Sequence, residues 1–304
     1  MDIFLTGATG FVGGTIVRQL IASGHRVRCL VRPASLERFQ QITGSAGKAV
    51  IPVAGDCLDL PSFLDAMRGC QAVIHLVGII REFPARGITF EQMHVEATRN
   101  VVRAAMQTGA GRFLHMSALG ARGDAPSRYH QTKFQAEQMV LQSGLKYVIF
   151  RPSIIFGPGD QFVNLLAARI RRFLPCPVIG SGRVRFQPVA VENVAQGFER
   201  ALTPPGCLNR VYEVGGPRPY SLNEMLDAIG RAKGLCRVRK VHIPLSVAGW
   251  FVRRLERRPS FPVTSEQLLM LQEDNVCDPR NFLLTFAIEP VDFEAGVGRY
   301  IGRV

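Results

Sequence analysis

The chain of 304 residues is 47% hydrophobic and 20% charged, which excludes a disordered or fibrous protein and leaves one large domain or two that share a core. Its formal charge of +13 is carried by arginine, since only 5 of the 37 basic residues are lysine. A surplus of that size suits an anionic partner, whether nucleic acid, a membrane surface or a phosphate-bearing small molecule, and the motifs must choose among these.

The first apolar run, Ile3 to Leu5, follows Met1-Asp2 with no basic stretch before it, so no signal peptide is expected. It leads into Thr6-Gly7-Ala8-Thr9-Gly10-Phe11-Val12-Gly13 and then a helical pattern with Ile16, Val17, Leu20 and Ile21 on one face. Strand, glycine turn and helix in that order describe a phosphate loop. A turn without Cβ atoms lets the backbone approach a pyrophosphate, and the helix start offers it unpaired N–H donors. The predicted second strand, Val27 to Val31, ends at Arg32, where an enzyme specific for NAD usually carries an acidic residue for the ribose hydroxyls. A cation there suits a 2′-phosphate, so NADP(H) is expected over NAD(H); a solvated surface charge is the plainer reading. After the third strand, Val50 to Val53, Asp56 either lies beside the adenine or caps the next helix.

Further strands are predicted at Ala72 to Val77, Phe113 to Met116 and Tyr147 to Phe150, with helix-length segments between them. Nearly all-apolar strands alternating with helices give an α/β fold, a Rossmann-type doubly wound parallel sheet with both faces covered. Residues 1–152 form the expected dinucleotide-binding domain. From 153 to 304 proline and glycine punctuate shorter elements, which reads as a smaller C-terminal cap or substrate domain, with roughly 186–216 returning to the sheet through Val211 to Val214.

Tyr129 and Lys133 stand four residues apart, on one face if the segment is helical. A free phenol is a poor acid or base near neutrality, and a neighbouring cation brings it into range. Ser117, at the carboxyl end of the fifth strand, is positioned to hold a substrate carbonyl. The three are the expected catalytic set. The seven cysteines form no CxxC pair and the six histidines no HExxH, so neither a disulfide framework nor a metal site is expected, and a reducing cytoplasm fits.

With TGATGFVG at 6–13, LVR at 30–32, GD at 55–56, HLVG at 75–78, Ser117, YHQTK at 129–133 and RPSIIFGPGD at 151–160, the chain resembles the short-chain dehydrogenase/reductase superfamily in its extended or atypical NAD(P)-dependent epimerase/dehydratase form. The resemblance covers nearly the whole chain. It implies cofactor contacts from Gly7, Thr9, Gly10, Phe11, Val12, Gly13, Arg32, Asp56, Val77, Gly78, Tyr129, Lys133, Pro152 and Ile154. Where many of these enzymes carry a relay asparagine, the chain has Met93-His94-Val95-Glu96, and His94 either relays a proton or packs. The stretches at 180–195, 212–226 and 265–278 are similar to bacterial relatives of the nucleotide-binding alpha-subcomplex accessory subunit of respiratory complex I. That branch implies tightly bound NADP(H) and an association with quinone biology, but no proven reaction.

From Ile243 to Arg258 the only Trp and several apolar residues lie beside Arg253, Arg254, Arg257 and Arg258, either as a cap helix or as a helix lying on an anionic membrane. No run reaches the length of a membrane span, and no nucleic-acid-binding pattern is present. The expectation is a cytoplasmic protein, peripheral on the inner face of the membrane. It reads as an NADP(H)-dependent oxidoreductase or isomerase acting on a hydrophobic, quinone-related substrate. The alternatives are a catalytically silent nucleotide-binding accessory or assembly protein of a respiratory or ubiquinone-biosynthesis complex, and a nucleotide-sugar epimerase or dehydratase.

Overall fold

The computed structural model describes residues 1–44, 47–256, 258, 261 and 263–302. Six parallel strands come from the first half: β1 (Asp2–Thr6), β2 (Arg26–Val31), β3 (Val50–Ala54), β4 (Ala72–His75), β5 (Arg112–Met116) and β6 (Tyr147–Pro152). A seventh, β7 (Arg210–Val214), returns from the second half and pairs in parallel with β6. The order across the sheet is β7-β6-β5-β4-β1-β2-β3. The central strands are apolar on both faces because helices cover both. Ile3, Phe4 and Leu5 are fully buried, as are Ala72, Val73 and Ile74.

Helices α1 (Phe11–Ala22) and α2 (Leu36–Thr43) follow β1 and β2, and α3 (Pro61–Met67) and α4 (Ala97–Thr108) follow β3 and β4. One face of the sheet is covered by α1 and by α7 (Val191–Arg200), which pack together over Leu5, Val148 and Phe150. The other face is covered by α3, α4 and α5 (Arg128–Leu141) over Phe4, Val73 and Ile149. The chain reverses its direction of winding between β1 and β4, and in open sheets of this kind ligands lie at the carboxyl ends of the strands beside that switch.

The smaller lobe has its own core, with Phe156, Phe186, Tyr220, Met225 and Phe293 buried between α6 (Phe162–Arg169), α8 (Leu222–Ala232) and α12 (Phe293–Val297). Its strands are short and lie outside the main sheet. Cys176–Ile179 pairs in parallel with Lys240–Ile243, so Ile243 belongs to a strand, and the helix expected over 243–258 is α9, Leu245–Leu255. Arg257 lies outside the described residues. Helices α10 (Ser265–Met270) and α11 (Arg280–Thr285) lie between α9 and α12, and among the described residues no helix is long and apolar enough to cross a membrane.

Candidate active site

The turn after β1 is built from backbone. Gly7 has φ +85°, a conformation that favours glycine, and its carbonyl accepts the Gly10 N–H at 3.1 Å. A Cβ on Gly13 would lie 2.1 Å from the Gly7 oxygen, so the helix can seat on the turn only without one. Gly10 caps α1 with no side-chain bond, and the first turn of the helix carries no acidic residue. This is a cradle that a Cβ would fill, at a helix start free of competing charge, and it fits a pyrophosphate. Thr9, Phe11 and Val12 are half-buried around it. Phe11 reaches across to Gly157, where a Cβ would meet its ring at 3.4 Å.

Arg32 lies exposed where β2 ends, ahead of the turn Pro33–Ser35, and among the described residues it pairs with no carboxylate. Asp56 is not the helix cap that was one of its two expected roles. Its Oδ1 accepts the Leu58 N–H at 3.0 Å, two residues ahead, and α3 is capped at Leu60 instead.

The residues expected to be catalytic lie on and around α5. Ser127 starts this helix, its Oγ accepting the His130 N–H, and four-residue spacing then puts Tyr129 and Lys133 on one face. Lys133 is buried and donates from Nζ to the Met116 carbonyl at 3.0 Å. Burial lowers its ammonium to about 8, against an upward pull from the Glu137 carboxylate. The lysine runs beside Gly78, where a Cβ would sit 2.7 Å from Nζ. Glycine in HLVG therefore leaves the lane in which Lys133 lies. The Tyr129 ring meets Phe90, His94 and His130 edge-on, with centroids 5.9, 5.4 and 5.1 Å away. Burial pushes its phenol up to about 12, and among the described residues the hydroxyl makes no hydrogen bond.

Ser117 makes a contact that the sequence did not announce. Its Oγ donates to Glu137 Oε2 at 2.8 Å, and the same carboxylate takes a two-pronged contact from Arg151, with Nη2 to Oε1 at 2.6 Å. Glu137 is completely buried and paired with Arg151, and its carboxylate accepts the hydroxyl proton of Ser117 in a hydrogen bond. No hydrogen bond joins Ser117 to Tyr129 among the described residues, and the next two residues, Ala118 and Leu119, carry no hydroxyl.

His94 sits in a π-helical turn, Glu91–Glu96, that leads into α4. His94 Nδ1 shares a hydrogen bond with the Thr132 hydroxyl at 2.8 Å, and Nε2 faces both the N–H and the carbonyl of Ile79, at 3.1 and 3.0 Å. Both ring nitrogens are thus engaged. Burial and the nearby Lys133 hold the imidazole well below its usual range, so it is neutral. These contacts of His94 brace the segment after β4 against α5. His75, behind it, is likewise neutral, lowered to about 3 by burial, and bridges Thr6 and Thr98.

Val77, half-buried, and exposed Gly78 lie after β4, and buried Pro152 and half-buried Ile154 lie at the end of β6. The Ser153 hydroxyl between them donates to Asn275, whose amide in turn donates to the Leu119 carbonyl. That latch from the C-terminal segment, the Glu137–Arg151 pair and Thr132 were missed in the sequence. Their only signal was a carboxylate four residues beyond Lys133 and an arginine before a proline. Among the described residues no cluster of His, Cys, Asp and Glu can hold a metal.

Fold and turn together define a dinucleotide-binding protein of the Rossmann type. The sequence profile of the NAD dependent epimerase/dehydratase family matches residues 3–215, and the chain belongs to that family. It is 31% identical over 274 residues to the mitochondrial NADH dehydrogenase (ubiquinone) 1 alpha subcomplex subunit 9 of Arabidopsis thaliana, covering 88% of this chain and 67% of that protein. It is 29% identical to the 2-alkyl-3-oxoalkanoate reductase of Stenotrophomonas maltophilia, over 79% of this chain and 78% of the other. Among solved structures, the UDP-glucose 4-epimerase of Thermotoga maritima superposes with TM-score 0.75 at 18% identity, covering 99% of this chain and 97% of the other. The Bordetella bronchiseptica enzyme WbmH in complex with NAD+ gives 0.75 at 20% identity, over 98% and 95%. These two likenesses speak to the fold alone. The chain is therefore an NAD(P)-binding member of its family.

Proposed function

We propose that the protein is an NADP(H)-dependent oxidoreductase of the short-chain type that reduces a hydrophobic, quinone-related carbonyl compound taken up at a membrane surface. The observation that carries this reading is that Tyr129 and buried Lys133 share one face of α5, with Lys133 beside Gly78. A site that only stores a nucleotide has no need of a phenol there. The turn Gly7 to Gly13 and the start of α1 would hold the pyrophosphate, and Arg32 would meet a 2′-phosphate. Val77, Gly78, Pro152 and Ile154 would border the nicotinamide, which when bound supplies the hydride.

Lys133 would hold the ribose hydroxyls and, while charged, favour developing negative charge nearby. A phenol pushed up to about 12 keeps its proton at neutral pH. Tyr129 therefore enters the reaction as a general acid, giving its proton to the oxygen of a carbonyl as that oxygen gains charge.

A second reading is supported by Ser117. Its hydroxyl is committed to Glu137, which leaves segment 117–119 without a donor for the substrate oxygen. A nucleotide-binding accessory role beside a respiratory complex, in line with the names of the relatives, needs no such donor. A bound nucleotide at 100 times its dissociation constant stabilises a fold by about 2.7 kcal/mol without turnover.

The test is the quinone and quinone-precursor profile of cells lacking the gene and supplied with either wild type or Tyr129→Phe at matched protein level. Loss of the phenol proton costs about 10²- to 10⁴-fold in rate. Failure of the variant to restore the profile while it still binds NADPH supports catalysis. Full restoration overturns it in favour of the accessory role, and a profile unaffected by deletion removes the quinone link.

A further inference from the structure

Helix α9 is amphipathic in the wrong sense for a cap helix. At 100° per residue Ala248 and Val252 fall on one side, and these are its buried residues. Trp250 falls on the opposite side, Val247 and Arg254 to one side of it, and Phe251 on the flank next to them. Trp250 and Phe251 are each 50% exposed and Val247 is 44% exposed. Leu245, also 44% exposed, extends the patch at the start of the helix. The two aromatic rings stand edge to face at 4.9 Å, and the Arg254 guanidinium lies 5.0 Å above the indole. The surface is an aromatic pair presented to solvent with cations at its rim.

Arg253, Arg254 and Arg258 are all exposed, and among the described residues none pairs with a carboxylate. This selects the occupant. A second copy of a chain with charge +13 would bring two such arginine groups together. An anionic bilayer instead receives the arginines at its headgroups and the aromatic rings just beneath them.

The helix is also tied to the candidate site. Arg81, three residues after Gly78, donates to the carbonyls of Glu256, Arg258 and Phe261 at 3.1, 3.1 and 2.6 Å. It clamps the end of α9 to the segment that His94 braces through Ile79. We propose that the outward face of α9 is a docking surface for an anionic lipid bilayer, held by Arg81 at the mouth of the site so that a lipid-dissolved substrate reaches Tyr129 from the membrane. The docking stands on the surface alone, and the delivery of substrate rests on the reductase reading.

Trp250 is the only tryptophan in the chain, so its emission reports this face directly. With the full chain and NADPH, vesicles containing phosphatidylglycerol should shift the emission to the blue and carry the protein down on centrifugation, while pure phosphatidylcholine vesicles do neither. The double variant Arg253→Glu, Arg254→Glu should weaken the binding by about 30-fold or more, at roughly fivefold for each charge lost. NADPH binding by the same variant, unchanged, shows that it is folded. Arg81→Ala should keep vesicle binding and lose the advantage of a vesicle-borne quinone over a water-soluble one. Emission unmoved by anionic vesicles, binding indifferent to charge reversal, or a dimer in free solution that Trp250→Ala dissociates would each overturn the docking. Reduction of a water-soluble quinone is read separately, so a failed reductase reading is told apart from a failed docking surface.

Discussion

The phosphate turn and the α5 pocket lie at the same end of one sheet and are built on different principles. The turn is backbone: its shape comes from glycines whose missing Cβ atoms let Gly13 seat on the Gly7 carbonyl. The pocket is side chains brought together from several elements. Glu137 comes from α5, Arg151 from β6, Ser117 from the end of β5 and His94 from the turn before α4. A backbone site is held by local sequence and yields to any added atom. A side-chain site is held by long-range partners and yields to the loss of one of them.

Removing the centre of the pocket is the strongest way to break that contrast. Glu137→Ala leaves the Arg151 guanidinium and the Ser117 hydroxyl without their shared acceptor. Loss of one partner of a buried pair costs 3–5 kcal/mol, and because Arg151 is about a quarter exposed the lower end applies, about 3 kcal/mol. Denaturant unfolding measures it, and Glu137→Gln should recover part of the loss. An effect within about 0.5 kcal/mol would mean that the network does not hold the pocket.

Gly13→Ala comes next. The clash is with backbone, which no rotamer change relieves, so about 2 kcal/mol of stability should go. The larger consequence is for the nucleotide, since a displaced α1 no longer presents its first N–H groups. NADPH titration should show a loss of affinity out of proportion to the change in melting temperature, whereas Glu137→Ala should show the reverse.

These two variants also mark what the sequence made legible. The glycine spacing, the apolar strands and the Tyr129, Lys133 pair are local patterns with local causes, and each of these motifs lies on the expected strand, turn or helix. The partner of Ser117 is twenty residues away and that of Ser153 is Asn275, and no periodicity points to either. Ile243 was read into a helix because a short strand outside the main sheet, half exposed, lacks the alternation that would betray it. Arg81 was unmarked for the same reason: its acceptors are carbonyls, which every residue has.

The pocket also carries a charge whose titration the turn cannot imitate. Lys133 has its ammonium lowered to about 8 from an ordinary 10.5, so between these values the folded protein binds fewer protons than the unfolded chain. Stability then rises with pH in that window, by up to about 1.4 kcal/mol per pH unit, and the burdened charge is fully present below pH 8. The buried thiols Cys29, Cys57 and Cys277, pushed up to about 12 by burial, act in the opposite direction above pH 9. The difference between wild type and Lys133→Met isolates the ammonium. It should shrink or favour the variant at pH 7 and swing toward wild type as pH rises through 8 to 10, as read from denaturant midpoints.

The smallest effect sharpens the comparison at the far end of the turn. NADH and NADPH share the pyrophosphate, the nicotinamide and both ribose rings, so any difference in how a variant treats them comes from the 2′-phosphate. Arg32 is exposed, and one solvent-screened contact with a phosphate is worth about 1.4 kcal/mol, or tenfold in affinity. Arg32→Ala should therefore weaken NADPH by about tenfold, leave NADH where it was, and flatten the dependence of NADPH affinity on salt. Equal weakening of both nucleotides would make Arg32 one more charge in a basic surface, because a general positive field acts on the pyrophosphate that both carry. Specificity for the phosphate would then have to come from another part of the turn.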